Sequence, residues 1–146
     1  MKPTDITQAQ PVLVPANAGT VFNVIGDQFT IKLAAQQTQG ALTLLEIITP
    51  PGGGPPPHYH LNHDELFMVQ EGRVSFFLQS RWTELGPGGV VFVPRGSVHT
   101  FRNVGDVPAR QHGLVTPSGL ENASSRCAAE FAKPRMRPVS SRSGPG

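Results

Sequence analysis

Turn-forming residues cut this chain into short apolar runs, and that punctuation limits what it can fold into more than any other feature. Of 146 residues, 16 are Gly and 15 are Pro, about double their ordinary usage. Runs of four to eight apolar residues closed by Gly or Pro are strand signals, and many in succession describe an all-β sandwich or barrel. The length suits one domain with one core and is too short for two. Only 15% of residues are charged, which excludes a disordered acidic chain.

Read along the chain, residues 1–19 form an arm in which Pro11 and Pro15 bracket Val12-Leu13-Val14. A hairpin follows, with Val21–Ile25 and then Phe29, Ile31 and Leu33 at strand spacing around a turn at Gly26-Asp27. Residues 41–49 (ALTLLEIIT) read as a strand apolar on both faces. It ends at PPGGGPPP, too stiff and too poor in amide donors for a helix or an interior strand. Further strands are expected at 58–60, 65–70, 73–78, 81–85, 89–93, 98–103 and 107–115. The one stretch of helical character is 119–132, followed by the tail KPRMRPVSSRSGPG. The expected organisation is an arm (1–19), a barrel (20–118, with its core motifs at 52–103), and a short helix with a basic flexible tail (119–146).

The net charge of +2 hides an asymmetry. From residue 126 onward five basic residues face one acid, Glu130, so the first 125 residues are net acidic. The tail's charges lack interleaved aromatics beyond Phe131, so a solvated end is expected and no nucleic-acid partner. The opening MKPTDITQAQ has no apolar stretch of a secretory signal, and no run reaches the about 20 apolar residues of a membrane span. With a single cysteine, Cys127, which reads as a packed small hydrophobe, the expectation is a cytoplasmic protein with no membrane association.

Two stretches carry chemistry. In GGGPPPHYHLNHDELFMVQEG (52–72), His58 and His60 are two apart, a spacing that on a strand turns both imidazoles to one face, and Glu65 can join them after a short turn. In GGVVFVPRGSVHTFRN (88–103), Pro94–Ser97 form a tight turn and His99 starts the strand that leaves it. Three imidazoles and a carboxylate are a donor set that a first-row divalent ion accepts.

These stretches resemble the paired signatures of the cupin superfamily at every defining position. Only residues 73–87 separate them, as in compact single-domain bacterial cupins, and the phrasing is most similar to the quercetin-dioxygenase-like group. The resemblance implies a double-stranded β-helix, the jelly-roll barrel, with one divalent transition metal ion (Fe, Mn, Ni, Co, Cu or Zn) held by His58, His60, Glu65 and His99. It further implies a quercetinase-like oxygenase acting on a small enolisable or aromatic compound, with Glu65 also serving as catalytic base. Two alternatives stay open: a non-catalytic small-molecule binding or sensing barrel, and a cupin isomerase, lyase or decarboxylase.

Strand alternation extends the site. If Glu65 faces the ion, Phe67 and Val69 face the same cavity, and His99 brings Phe101 and Asn103 with it. Phe67, Val69 and Phe101 are therefore expected to line a substrate pocket. Glu46 and Asn103 are candidates for a layer behind the ligands. No Lys or Arg shares this phase, which counts against a grip on sugar phosphates. His63 belongs to the loop between ligands, and His112 fits no motif and reads as structural. Leu66 and Met68 fall on the outer face and make it apolar too, so that face needs a cover, and a homodimer is expected.

Overall fold

The structure, a computed structural model, describes residues 9–119. The expected helix at 119–132, Cys127 and the basic tail thus lie almost wholly outside the described residues. Nine strands run in chain order as β1 (Thr20–Val24), β2 (Asp27–Leu33), β3 (Thr43–Thr49), β4 (Asp64–Glu71), β5 (Val74–Leu78), β6 (Arg81–Leu85), β7 (Val90–Val93), β8 (His99–Asn103) and β9 (Ala109–Thr116). They form two antiparallel sheets, β1-β2-β3-β9-β4-β7 and β6-β5-β8, which face each other as an all-β jelly roll. Among the described residues no helix is long and apolar enough to cross a membrane.

Several local outcomes differ from the sequence expectation. The first hairpin turns at Ile25-Gly26, both with positive φ (49° and 85°), one residue earlier than Gly26-Asp27. A two-residue turn with this geometry matches the strand twist, and it frees Asp27 to open β2 opposite Val24, 2% exposed. A single-turn helix, α1 (Ala35–Thr38), was not expected. Its Gln37 side chain accepts the Ala34 N–H at 2.9 Å, and four residues are too few to show a helical period. Residues 58–60 do not form a strand; His58 makes only an isolated bridge with His99.

That bridge belongs to a longer contact that positions the site. The Pro-Gly segment runs beside β8, outside any strand. Gly52 N–H donates to Asn103 O (2.9 Å), Asn103 N–H to Gly53 O (3.0 Å), and the Thr100 hydroxyl to Pro55 O. His58 and His99 then exchange backbone hydrogen bonds at 3.0 and 2.9 Å. The approach is so close that a Cβ on Gly54 would lie 1.9 Å from Phe101 O.

The barrel interior is layered. On β4 the inward residues are Glu65, Phe67 and Val69, and on β8 they are His99, Phe101 and Asn103, all buried. The middle layer is aromatic: Phe67, Phe76 and Phe101 have ring centroids 5.8 to 6.2 Å apart, with each such pair worth about 0.5–1.5 kcal/mol beyond its buried area. Below it, toward the first hairpin, lies a polar layer. There both carboxamide atoms of Gln111 find no hydrogen-bond partner among the described residues, and Asp27, Thr49 and Gln111 are each at most 2% exposed.

Burial pushes the Asp27 carboxyl up from 3.8 to about 6, with the nearby Thr49 hydroxyl pulling it only part of the way back. The folded state therefore holds this proton more tightly than the unfolded chain. Its penalty on stability is absent below about pH 4, develops as pH rises toward 6, and is complete above that. Asp27→Asn should remove the penalty. In denaturant unfolding its stability relative to wild type should rise by roughly 2–3 kcal/mol between pH 4 and pH 7. A pH-independent difference would show that Asp27 titrates normally.

Candidate metal centre

Four side chains converge at the upper end of the barrel. The ligating atoms available on His58, His60, Glu65 and His99 all lie within 4.8 Å of one another. Each arrives by a different route. Glu65 comes from β4 in the large sheet and His99 from β8 in the small one. His58 is set by its backbone bridge to His99. His60 follows two residues on, its carbonyl accepting the Gly96 N–H at 2.7 Å, which ties it to the Pro94–Ser97 turn. The two loop imidazoles do converge, with centroids 5.0 Å apart, although no strand aligns them.

Hydrogen bonds fix the tautomers. His58 Nδ1 lies 2.9 Å from Pro56 O and His99 Nδ1 lies 2.9 Å from Ser97 O. A carbonyl can only accept, so both Nδ1 atoms carry the proton and both Nε2 atoms present lone pairs. Yet His99 Nε2 is 2.8 Å from Glu65 Oε2, and His60 Nε2 is 3.2 Å from Glu65 Oε1. Two acceptor atoms 2.8 Å apart need a cation between them, either a proton on the ring or a metal ion. A divalent ion fits that requirement, and three imidazoles with one carboxylate are a donor set that such ions accept.

The electrostatics agree. Burial, followed by repulsion from His99, lowers the His58 pKa to about 4, with Glu65 and the Pro56 carbonyl opposing. His58 is thus neutral and able to ligate at physiological pH. For Glu65, burial alone would raise the pKa. When His60 and His99 are protonated toward it, their hydrogen bonds and charge outweigh burial and hold the carboxyl well below its ordinary range.

A narrow cavity opens beside the cluster, its volume about 10 Å³, room for about one water molecule. It is lined by Phe29, Leu45, Ile47, His58, Glu65, Phe67, Phe101, Gly113, Leu114 and Val115. Phe67 and Phe101 are among its lining residues, and they belong equally to the aromatic layer of the core. Val69 does not line the cavity; it is 1% exposed in the layer beneath. No Lys or Arg lines it either.

Neither residue expected behind the ligands stands there. Asn103 is four residues from His99 along β8, about 13 Å, and braces the loop at the other end: it donates to Thr49 O (2.9 Å) and Val107 O (2.7 Å) and accepts from Gly105 N–H (2.9 Å). Glu46 points out of the barrel, 3.8 Å from Arg110 Nε and 4.0 Å from His112 Nε2. Inward positions on β3 are odd-numbered, so Glu46 has the wrong parity. His112 shares that outer face. His63 is tied down by Pro117 O, 2.8 Å from its Nδ1. The sequence reading missed Phe29, Leu45, Ile47, Gly113 and Val115. Their inward alternation was visible, but that β9 lies between β3 and β4 was not.

Replacing His60 by Ala should leave the metal-free barrel folded, because that imidazole supports no strand. It should weaken metal affinity by more than the about 10–100-fold typical of losing a hydrogen bond behind a ligand. Metal analysis after dialysis checks this, and undiminished metal would remove His60 from the ligand set.

Comparison with known proteins agrees with this geometry. Residues 45–115 match the cupin domain family. Over 78 residues the chain is 33% identical to quercetin 2,3-dioxygenase of Bacillus subtilis, an overlap of 53% of this chain and 23% of that enzyme's length. Among solved structures, KdgF from Halomonas sp. superposes with a TM-score of 0.68 at 19% identity, over 75% of this chain and 96% of that one. A predicted oxalate decarboxylase from Thermotoga maritima gives 0.66 at 18% identity, over 71% and 97%. These likenesses establish the fold and not the reaction. Two facing antiparallel sheets, a three-histidine and one-glutamate cluster at one barrel end and the match over 45–115 place the chain in the cupin superfamily.

Proposed function

We propose that the protein is a metal-dependent oxygenase acting on a small, uncharged, enolisable or aromatic compound. One observation carries the reading: apart from His58 and Glu65, every residue lining the cavity beside the donor set is apolar. Such a wall favours a flat hydrophobic body and offers nothing to a phosphate or a second carboxylate. The similarity to a quercetin dioxygenase supports the same direction.

Bound at His58, His60, Glu65 and His99, a redox-active divalent ion would supply Lewis acidity and electron transfer toward dioxygen. The chain's own residues do the rest. Phe67, Phe101 and Val115 exclude water and orient the substrate edge-on to the cluster. His58 and His99, fixed through their Nδ1 protons, keep their Nε2 atoms aimed at one point. Glu65 accepts a proton at a carboxylate oxygen. Because its hydrogen bonds make it a weak base, the donor must be an acidic hydroxyl, such as an enol or a phenol.

Protein reconstituted separately with iron, manganese, nickel, cobalt, copper and zinc should be screened with an oxygen electrode against flavonols, catechols and β-diketones. Oxygen uptake is expected with redox-active ions and not with zinc. Glu65→Gln should lose activity by about 100-fold or more while keeping some metal, since an amide cannot accept the proton. Reversible binding with no uptake under any metal would instead favour a binding barrel.

The assembly we propose is a homodimer. On the outer face Leu66 stands opposite Phe92 and Met68 opposite Val90. Phe92, Val90 and Met68 are 59%, 53% and 38% exposed, a patch that a second copy would cover. Light scattering at micromolar concentration should give twice the chain mass of 15.6 kDa; a monomer would refute it.

A further inference from the structure

β9 is an interior strand of the large sheet, paired with β3 on one side and β4 on the other. Its inward positions are Ala109, Gln111, Gly113 and Val115, all buried. Glycine at such a place weakens a strand, and it ordinarily marks a bulge, a bend or a close approach by another group. The first two do not apply. The ladders on both sides pass Gly113 without a register shift, Leu45 opposite it on β3 and Phe67 on β4. Nor is Gly113 among the residues with positive φ, so its backbone conformation is open to any side chain.

What remains is close approach. A Cβ on Gly113 would meet Ile47 Cδ1 at 3.3 Å and Phe67 Cε1 at 3.6 Å. A methyl group fits with a small adjustment of Ile47, and anything larger must project into the cavity that Ile47, Phe67 and Gly113 share with Glu65. Phe67 stands one inward step from Glu65 along β4, so Gly113 opens the cavity directly below the donor set.

We infer that Gly113 determines specificity: its bare backbone is the floor against which the apolar end of the substrate lies, with the oxygen-bearing end turned to His58 and Glu65. This rests on the reading of the cavity as the substrate site. The substrate class narrows accordingly, to compounds with a metal-binding hydroxyl pair or enol at one end and an uncharged apolar extension at the other.

The test is direct binding to the metal-loaded protein, by calorimetry, of catechol and 4-alkylcatechols of increasing chain length. Wild type should gain affinity with each added carbon until the cavity is filled. Gly113→Ala should reach that limit about one carbon earlier, and Gly113→Val should lose at least about tenfold on the longest ligand accepted by wild type. Catechol itself should bind all three within about threefold, and metal content should be unchanged. Should Val prove unstable, Ala alone decides. The same chain-length profile in the variants as in wild type would overturn the role of Gly113. Failure of wild type to bind any member would overturn the cavity reading, and this inference with it.

Discussion

The backbone pairing between the Pro-Gly segment and β8 is the constraint on which the site depends. His58 lies on one sequence motif and His99 on another, and two hydrogen bonds between their main chains lock the motifs together. Peptide groups thus hold the His58 and His99 main chains side by side. The proline residues fit this arrangement because the segment needs few donors of its own. The glycines fit it because the two chains approach more closely than side chains allow.

From that pairing the rest of the interior follows in layers. His99 fixes the phase of β8, so Phe101 meets Phe67 and Phe76 one step down, and the resulting aromatic layer separates the cluster from the polar residues beneath. The same rings serve as core and as cavity wall. A change to Phe67 or Phe101 thus acts on stability and on ligand fit together, whereas Gly113 lines the cavity without adding a side chain to the core.

Most of the barrel was legible in the sequence because its turns are chemically marked and its strands alternate. Nine of the expected segments became strands within a residue or two of their expected bounds, and the four side chains expected to meet do converge. Legibility failed where a local pattern admits two phases or needs a partner. Residues 41–49 are apolar on both faces, so nothing local said that Glu46 points outward. Asn103 has the inward phase, but four residues from His99 is about 13 Å along a strand, a separation that phase alone does not report. His58 and His60 have the spacing of a strand, yet their convergence comes from bridges to β8 and to the Pro94–Ser97 turn. The cavity wall contributed by β2, β3 and β9 required the strand order, which no local pattern encodes.

The near-contact at Gly54 bears on how this protein tolerates change. With Phe101 O so close, no L-residue can stand there unless the segment lifts from β8. Lifting it moves the His58 main chain while the two sheets keep their own ladders. In a deep mutational survey, position 54 would thus share the phenotype of a ligand although it offers no donor atom: a folded barrel with a scattered cluster. Intolerance to substitution is thus expected along the seam between the chain's two motifs as much as at the cluster itself.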